Sequence, residues 1–205
     1  MSTKRSRPTR EETCERLLDS AACLFAERGV LGTTIDEVVA RAGLTRGAFY
    51  SNFRDRDELA SLVAEHKVTE TIARNLRILT EHEDPEKFAA ALAEAFVEDG
   101  TVPLHIELML HALRSPEQRV RYAEAMRRLR EGLEPVVERA LRNAGVIGPI
   151  DAKRIITILL ALEDGLTLHG LIDPDHIPRT AYFDVLAELQ ELFVLRDRTS
   201  RAADT

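Results

Sequence analysis

Aromatic residues make up only 5% of this 205-residue chain, and tryptophan is absent. Runs of alternating Val, Ile and Thr are equally scarce, which argues against a core built from strands. There are two cysteines, Cys14 and Cys23. On one helix turning about 100° per residue they fall on opposite faces, so they cannot bridge within it. Cys14 shares a face with Leu17, Leu18 and Phe25 and reads as a small buried hydrophobe, whereas Cys23 points away from that face. So few cysteines fit a reducing cytoplasm. No uninterrupted apolar run reaches about 18 residues, so no membrane span is expected. The start, "MSTKRSRPTR", is basic with no apolar segment behind it and does not read as a secretory signal. No His-Glu-x-x-His, glycine-rich phosphate loop or Cys-x-x-Cys occurs. A di-metal helical bundle would want Glu-x-x-His pairs on facing helices. Glu107 and His111 have the wrong spacing for that, and Asp173-Pro174-Asp175-His176 is expected in a loop. An enzyme is therefore not expected, and neither is a metal or a cofactor.

What is present is helix-forming material: Ala, Leu, Glu and Arg dominate, and the fold class is read as all-α. The formal net charge is −7, but it is unevenly spread. Ten of the 28 basic and eight of the 35 acidic residues lie in 1–56, a balance of +2 there and −9 beyond. A basic head on an acidic body can point to nucleic acid, although a solvated tail gives the same count.

The chain reads as about nine helices. Thr9 to Glu12 has the form of a capping box, opening a helix that runs to about Arg28 and stops at Gly29. Thr34 to Glu37 is a second box, and Gly43 closes the helix it opens. Thr45 caps a short third helix carrying Phe49 and Tyr50, and Asp55 to Glu58 opens a long fourth one. Further helices are expected over about 85–98, from Pro103 to near Arg114, from Ser115 to about Asn143, over about 151–171 and over about 179–195. Pro135 predicts a kink or a break near Gly132.

The second and third helices, with Ile35, Val38, Val39, Leu44 and Phe49 turned inward, form a helix-turn-helix over about 33–52. That motif pushes a short, exposed helix start into the DNA major groove. Arg46 can present its planar fork to a guanine edge. Gly47 and Ala48 remove bulk beside it, so the backbone can approach closely. Thr34 and Thr45 offer hydroxyls at helix starts, where free N–H groups favour phosphate. Tyr50 and Arg56 can reach the flanking backbone, fixing register rather than sequence. On spacing alone, Arg46 as a solvated surface residue and Tyr50 as a packing residue stay open.

Residues 17 to 65 resemble the N-terminal domain of the TetR family of bacterial transcriptional regulators. The shared features run in order: an apolar helix ending "FAERG", Thr-Thr, a helix ending Ala-Gly, "TRGAFY", and Phe53 followed by Arg56 and Leu59. Asn52 departs from the pattern, which most often has His before that phenylalanine. The resemblance implies that Thr34, Thr45, Arg46, Gly47 and Tyr50 touch DNA, and that Phe25 and Phe53 hold the small domain together.

On this reading residues 10–70 form the DNA-binding domain and 71–205 an effector-binding and dimerisation domain. The helix over about 151–171 is too apolar around its circumference for a surface helix. With the ninth helix it would form a homodimer interface reading a double-stranded, inverted-repeat operator; the bland alternative is the core helix of a monomer. The resemblance further implies an unidentified small-molecule effector. Glu107, His111, Arg114, Glu163 and His169 are polar groups on apolar helices and so candidate ligand contacts; satisfied structural pairs would give the same pattern. A DNA-binding architectural or division-control protein without an effector is the competing function.

Overall fold

The computed structural model describes residues 9–99, 102–143, 145, 151–178 and 180–188, and among them the regular structure is entirely helical. The helices are α1 (Arg10–Gly32), α2 (Ile35–Ala42), α3 (Arg46–Tyr50), α4 (Arg56–Glu81), α5 (Pro85–Asp99), α6 (Val102–Leu113), α7 (Pro116–Asn143) and α8 (Ala152–Ile172). A ninth, α9, occupies 181–188; the stretch beyond it, with the expected Leu192 and Phe193, lies outside the described residues.

The capping chemistry written in the sequence sets most of the boundaries. Thr9 and Glu12 close a reciprocal box at the start of α1, and Thr34 and Glu37 do the same for α2. At α4 the box is shifted: Asp55 accepts from the Glu58 N–H at 2.8 Å, but the Glu58 carboxylate accepts from the N–H of Arg54. Gly43 ends α2 in the left-handed region, φ 63°. The N–H of Gly43 reaches back to the Ala40 carbonyl and that of Leu44 to the Val39 carbonyl, the paired bonds of a Schellman ending. Gly29 interrupts α1 at φ 75°, where any side chain would be strained, and the chain turns before its last few residues.

Two compact units result: Met1–Val68 with Pro103–Ala125, and Thr69–Val102 with Met126–Thr205, the divisions falling inside α4, after the first residue of α6 and inside α7. In the first unit a single cluster joins Leu17, Phe25, Val38, Phe49, Phe53 and Leu59. Leu104 and Leu108 of α6 are buried in the same cluster, which is why this unit extends beyond the first 68 residues. Polar clasps surround the core. Arg16 donates to the Ala42 carbonyl at the end of α2, and Arg28–Glu37 and Arg41–Glu27 pair α1 with α2.

In the second unit Ile78, Phe88 and Val136 form a smaller cluster. Arg139 lies over the Phe88 ring at 5.0 Å and donates to the carbonyls of Leu79 and His82. The expected break in α7 is not there: the helix is continuous past Pro135. Gly132 serves packing instead, since a Cβ there would fall 2.6 Å from the Ile72 side chain. By length and composition alone α8 could cross a bilayer, with a mean hydropathy of 1.7 over its most apolar 18 residues. Its apolar run is broken by Glu163-Asp164 near the middle, which hides it from a search for uninterrupted apolar residues. Each such carboxylate costs about 2.5–3.5 kcal/mol at a bilayer centre, which weighs against spanning. Ile158, Leu168, Leu171 and Ile172 of α8 are nonetheless exposed on the single chain.

Candidate nucleic-acid interface

The first unit holds a short helix with its first turn in solvent. Phe49, fully buried, anchors α3 to the core, and it packs edge-on against Tyr50 with centroids 5.2 Å apart. Phe53 lies on the other side of Phe49 at 5.4 Å. Because Phe49 points inward, Arg46, Gly47 and Tyr50 are left exposed. Thr45 caps this helix with its own hydroxyl, which accepts from the Ala48 N–H at 3.2 Å. Thr34, exposed at the start of α2, donates to Glu37 at 2.8 Å, and the Thr34 hydrogen bonds hold the Glu37 carboxyl below its ordinary range.

Gly47 is informative because the fold does not need it. Its φ is not positive, and a Cβ there would meet the Thr45 hydroxyl at 3.7 Å, an ordinary contact. Glycine within a helix costs roughly 0.5–1 kcal/mol against alanine.

Arg46 projects beside it with its side chain 60% exposed, and its Nη1 lies 3.3 Å from Asp36 Oδ2 on α2. The Tyr50 hydroxyl and the Asp36 carboxylate both strengthen its hold on its proton. Arg56 behaves differently from its neighbours in this set. It is half-buried and its Nη1 donates to the Leu31 and Thr33 carbonyls at 3.1 and 3.2 Å, pinning the turn between α1 and α2. Thr33 works from inside the same turn, donating to the Gly29 carbonyl at 2.9 Å. Asn52 donates to the Ala48 carbonyl at 2.8 Å and accepts from Arg10 at 3.4 Å, tying the end of α3 to the start of α1. Sequence reasoning missed Asp36 and the clasps of Arg16 and Arg56. No helical period links residues ten or more apart, so nothing in the pattern announced those pairs.

Glu107, His111 and Arg114 lie on α6 or at its end, within the first unit. The Glu107 carboxylate sits where a Cβ on Gly29 would fall, 2.8 Å away. His111 is buried, and its ring nitrogens make no hydrogen bond. Its Nε2 stands 3.4 Å from Asp57 Oδ1, close enough for attraction but not aligned to bond. Burial pushes the His111 imidazole down, and Asp57 offsets part of that. Beside it is a cavity lined by Ser61, Ala64, Leu108, Gln118 and Tyr122, with room for about one water and not for an organic ligand. Glu163 and His169 lie on α8 in the second unit. Glu163 is partly buried, and burial, with the Glu163 charge behind it, raises the Tyr182 phenol of α9. His169 is exposed in the last turn, where its carbonyl accepts from Asp173 at 2.8 Å.

Comparison with known proteins bears on this interface. Residues 17–63 match the family model for bacterial regulatory proteins of the tetR family, and residues 97–194 that for the C-terminal part of BetI-type transcriptional repressors. The HTH-type transcriptional regulator TtgR of Pseudomonas putida is 25% identical over 187 residues, covering 85% of this chain and 87% of TtgR. A Saccharomonospora viridis transcriptional regulator in complex with choline superposes with a TM-score of 0.70 at 19% identity, over 88% of this chain and 96% of that one. FadR of Bacillus subtilis in complex with stearoyl-CoA gives a TM-score of 0.66 at 16% identity, over 88% and 97%.

Proposed function

As the chain belongs to the TetR family, DNA-binding transcriptional regulators and not enzymes, we propose that it is a dimeric repressor released from an inverted-repeat operator by a small molecule. Residues 10–70 bind DNA and 71–205 carry effector binding and dimerisation. Arg46 reads a base edge, Gly47 lets the backbone approach, and Thr34, Thr45 and Tyr50 hold phosphates. Arg56 contributes mainly by stiffening the turn that presents them. The observation that carries this reading is the exposed arginine beside a glycine that the fold itself does not require.

Dimerisation falls to α8 and α9. Ile158, Leu168, Leu171 and Ile172 are each more than two-fifths exposed on the single chain, and a second copy would cover them. Two-fold pairing also supplies the discrimination that one half-site lacks. A regulator that acts on the chromosome works in the cytoplasm. The effector must favour the conformation that does not bind DNA, since equal affinity for both shifts nothing. Choline and stearoyl-CoA, bound by two structural relatives, share no chemistry, so neither identity transfers to this chain. Among the candidate contacts Glu163, partly buried beside Tyr182, has the best-supported setting, ahead of Glu107, His111, Arg114 and His169.

The test is selection of bound fragments from randomised duplex DNA, followed by Gly47→Ala. An inverted repeat is expected. Gly47→Ala should leave the fold as stable or about 0.5–1 kcal/mol more so, while operator affinity drops. A variant that binds operator as tightly as the parent would remove the case for close backbone approach.

A further inference from the structure

The two acids in the first turn of α2 have different occupations. Glu37 closes the capping box with Thr34 and pairs with Arg28. Asp36 has neither task; its carboxylate, 65% exposed, faces Arg46 on the next helix at 3.3 Å. A carboxylate on a surface that meets a polyanion works against binding, because each uncompensated negative charge repels phosphate. Its charge suits the start of α2, where the helix dipole favours a carboxylate, and the side chain it meets there is Arg46.

We propose that Asp36 is a specificity-determining positioning residue: by holding one Nη of Arg46 from α2, it narrows the orientations in which the guanidinium meets the base it reads. The inference rests on the reading of Arg46 as the base-contacting side chain. Arginine carries five N–H donors in a planar fork; with Asp36 at one nitrogen and the Tyr50 hydroxyl acting on the same guanidinium, fewer orientations stay open to it. A free arginine samples many rotamers and meets phosphate as readily as a base. A tethered one has fewer alternatives, so the carboxylate converts general attraction to DNA into preference for one base pair. In free solution such an exposed pair is weak. In a groove emptied of water the same contact strengthens, because the local dielectric falls. Asp36 therefore acts in two opposed directions, lowering affinity for DNA in general and raising discrimination at one position of each half-site.

The opposed signs make the idea testable with the full-length protein. Bound sequences would be selected from randomised duplexes for the parent, Asp36→Asn, Arg46→Ala and the double variant. Affinity for an unrelated duplex would be measured at one fixed salt concentration. Asp36→Asn should weaken preference about two- to fivefold, the range of an exposed ion pair, and at the same base pair that Arg46→Ala affects. It should also bind the unrelated duplex more tightly. On the Arg46→Ala background it should change preference no further. Asp36→Glu, which keeps the charge on a longer arm, should fall between parent and Asn, and it serves if the Asn variant melts early. Unchanged preference in Asp36→Asn, with preference lost in Arg46→Ala, rejects the positioning role and leaves the base-reading role intact. An Asp36→Asn effect that persists without Arg46 also overturns it. Preference unchanged in Arg46→Ala overturns both.

Discussion

The aromatic core of the first unit and α8 of the second treat apolar surface in opposite ways. Phe25, Phe49 and Phe53 are buried completely and the rim is clasped by Arg16, Arg28 and Arg56, although Leu31, Leu110, Leu113 and Val120 of the same unit stay exposed. α8 leaves Ile158, Leu168, Leu171 and Ile172 in solvent, and only 6% of its most apolar window is buried. The aromatic core is closed by its own neighbours within one chain, and the apolar side chains of α8 are not. The proposed functions match that difference: a charged, hydrated partner for Arg46 and its neighbours, and a second copy of the chain for α8.

The contrast breaks most sharply at the core. Phe25→Ala should cost about 3–5 kcal/mol in denaturant unfolding, the range for emptying a packed aromatic site; a loss below about 1 kcal/mol would show that the head is not closed on itself. Ile158→Glu tests the other side. It should leave the monomer's helicity unchanged but weaken self-association by about 2–4 kcal/mol, because a carboxylate would be buried without a partner. Sedimentation velocity reads this directly, and an unaltered dimer would move the interface off that face of α8. The smallest effect concerns His111. Its folded form holds the proton less tightly than the usual imidazole, whose pKa is 6.5, because it is buried. The unfolded chain then binds more protons, so stability is full above about pH 6.5 and declines as pH falls from there toward the depressed value. The melting temperature of the parent should drop over that window, and His111→Gln should flatten the dependence. A parent whose melting is indifferent to pH there would mean that Asp57 compensates the burial.

Much of the head was legible in the order of residues alone. Thr9, Thr34 and Thr45 announce helix starts through their own hydroxyls, and Gly29 and Gly43 announce stops through backbone conformations that other residues resist. These are local effects within a few residues, and the sequence prints them. The face carrying Arg46, Gly47 and Tyr50 was legible for the same reason, since helical spacing alone turns them away from Phe49. The partnership of Asp36 with Arg46 and the diversion of Arg56 to the carbonyls of Leu31 and Thr33 were not. They depend on the angle at which α2 crosses its neighbours and on where a turn brings its carbonyls. Pro135 pointed to a kink or a break, and α7 runs on past it without a break.

By itself, then, the chain of residues determined that this is a helical protein with a helix-turn-helix near its start, because caps, glycines and apolar periods act over a turn or two. Only the tertiary structure decided that α6 lends Leu104 and Leu108 to the head's core, that His111 is sealed away unbonded, and that Asp36 on one helix comes within 3.3 Å of Arg46 on the next. Those outcomes are set by the packing of elements distant in sequence, where shape and burial rather than local preference choose which side chains meet.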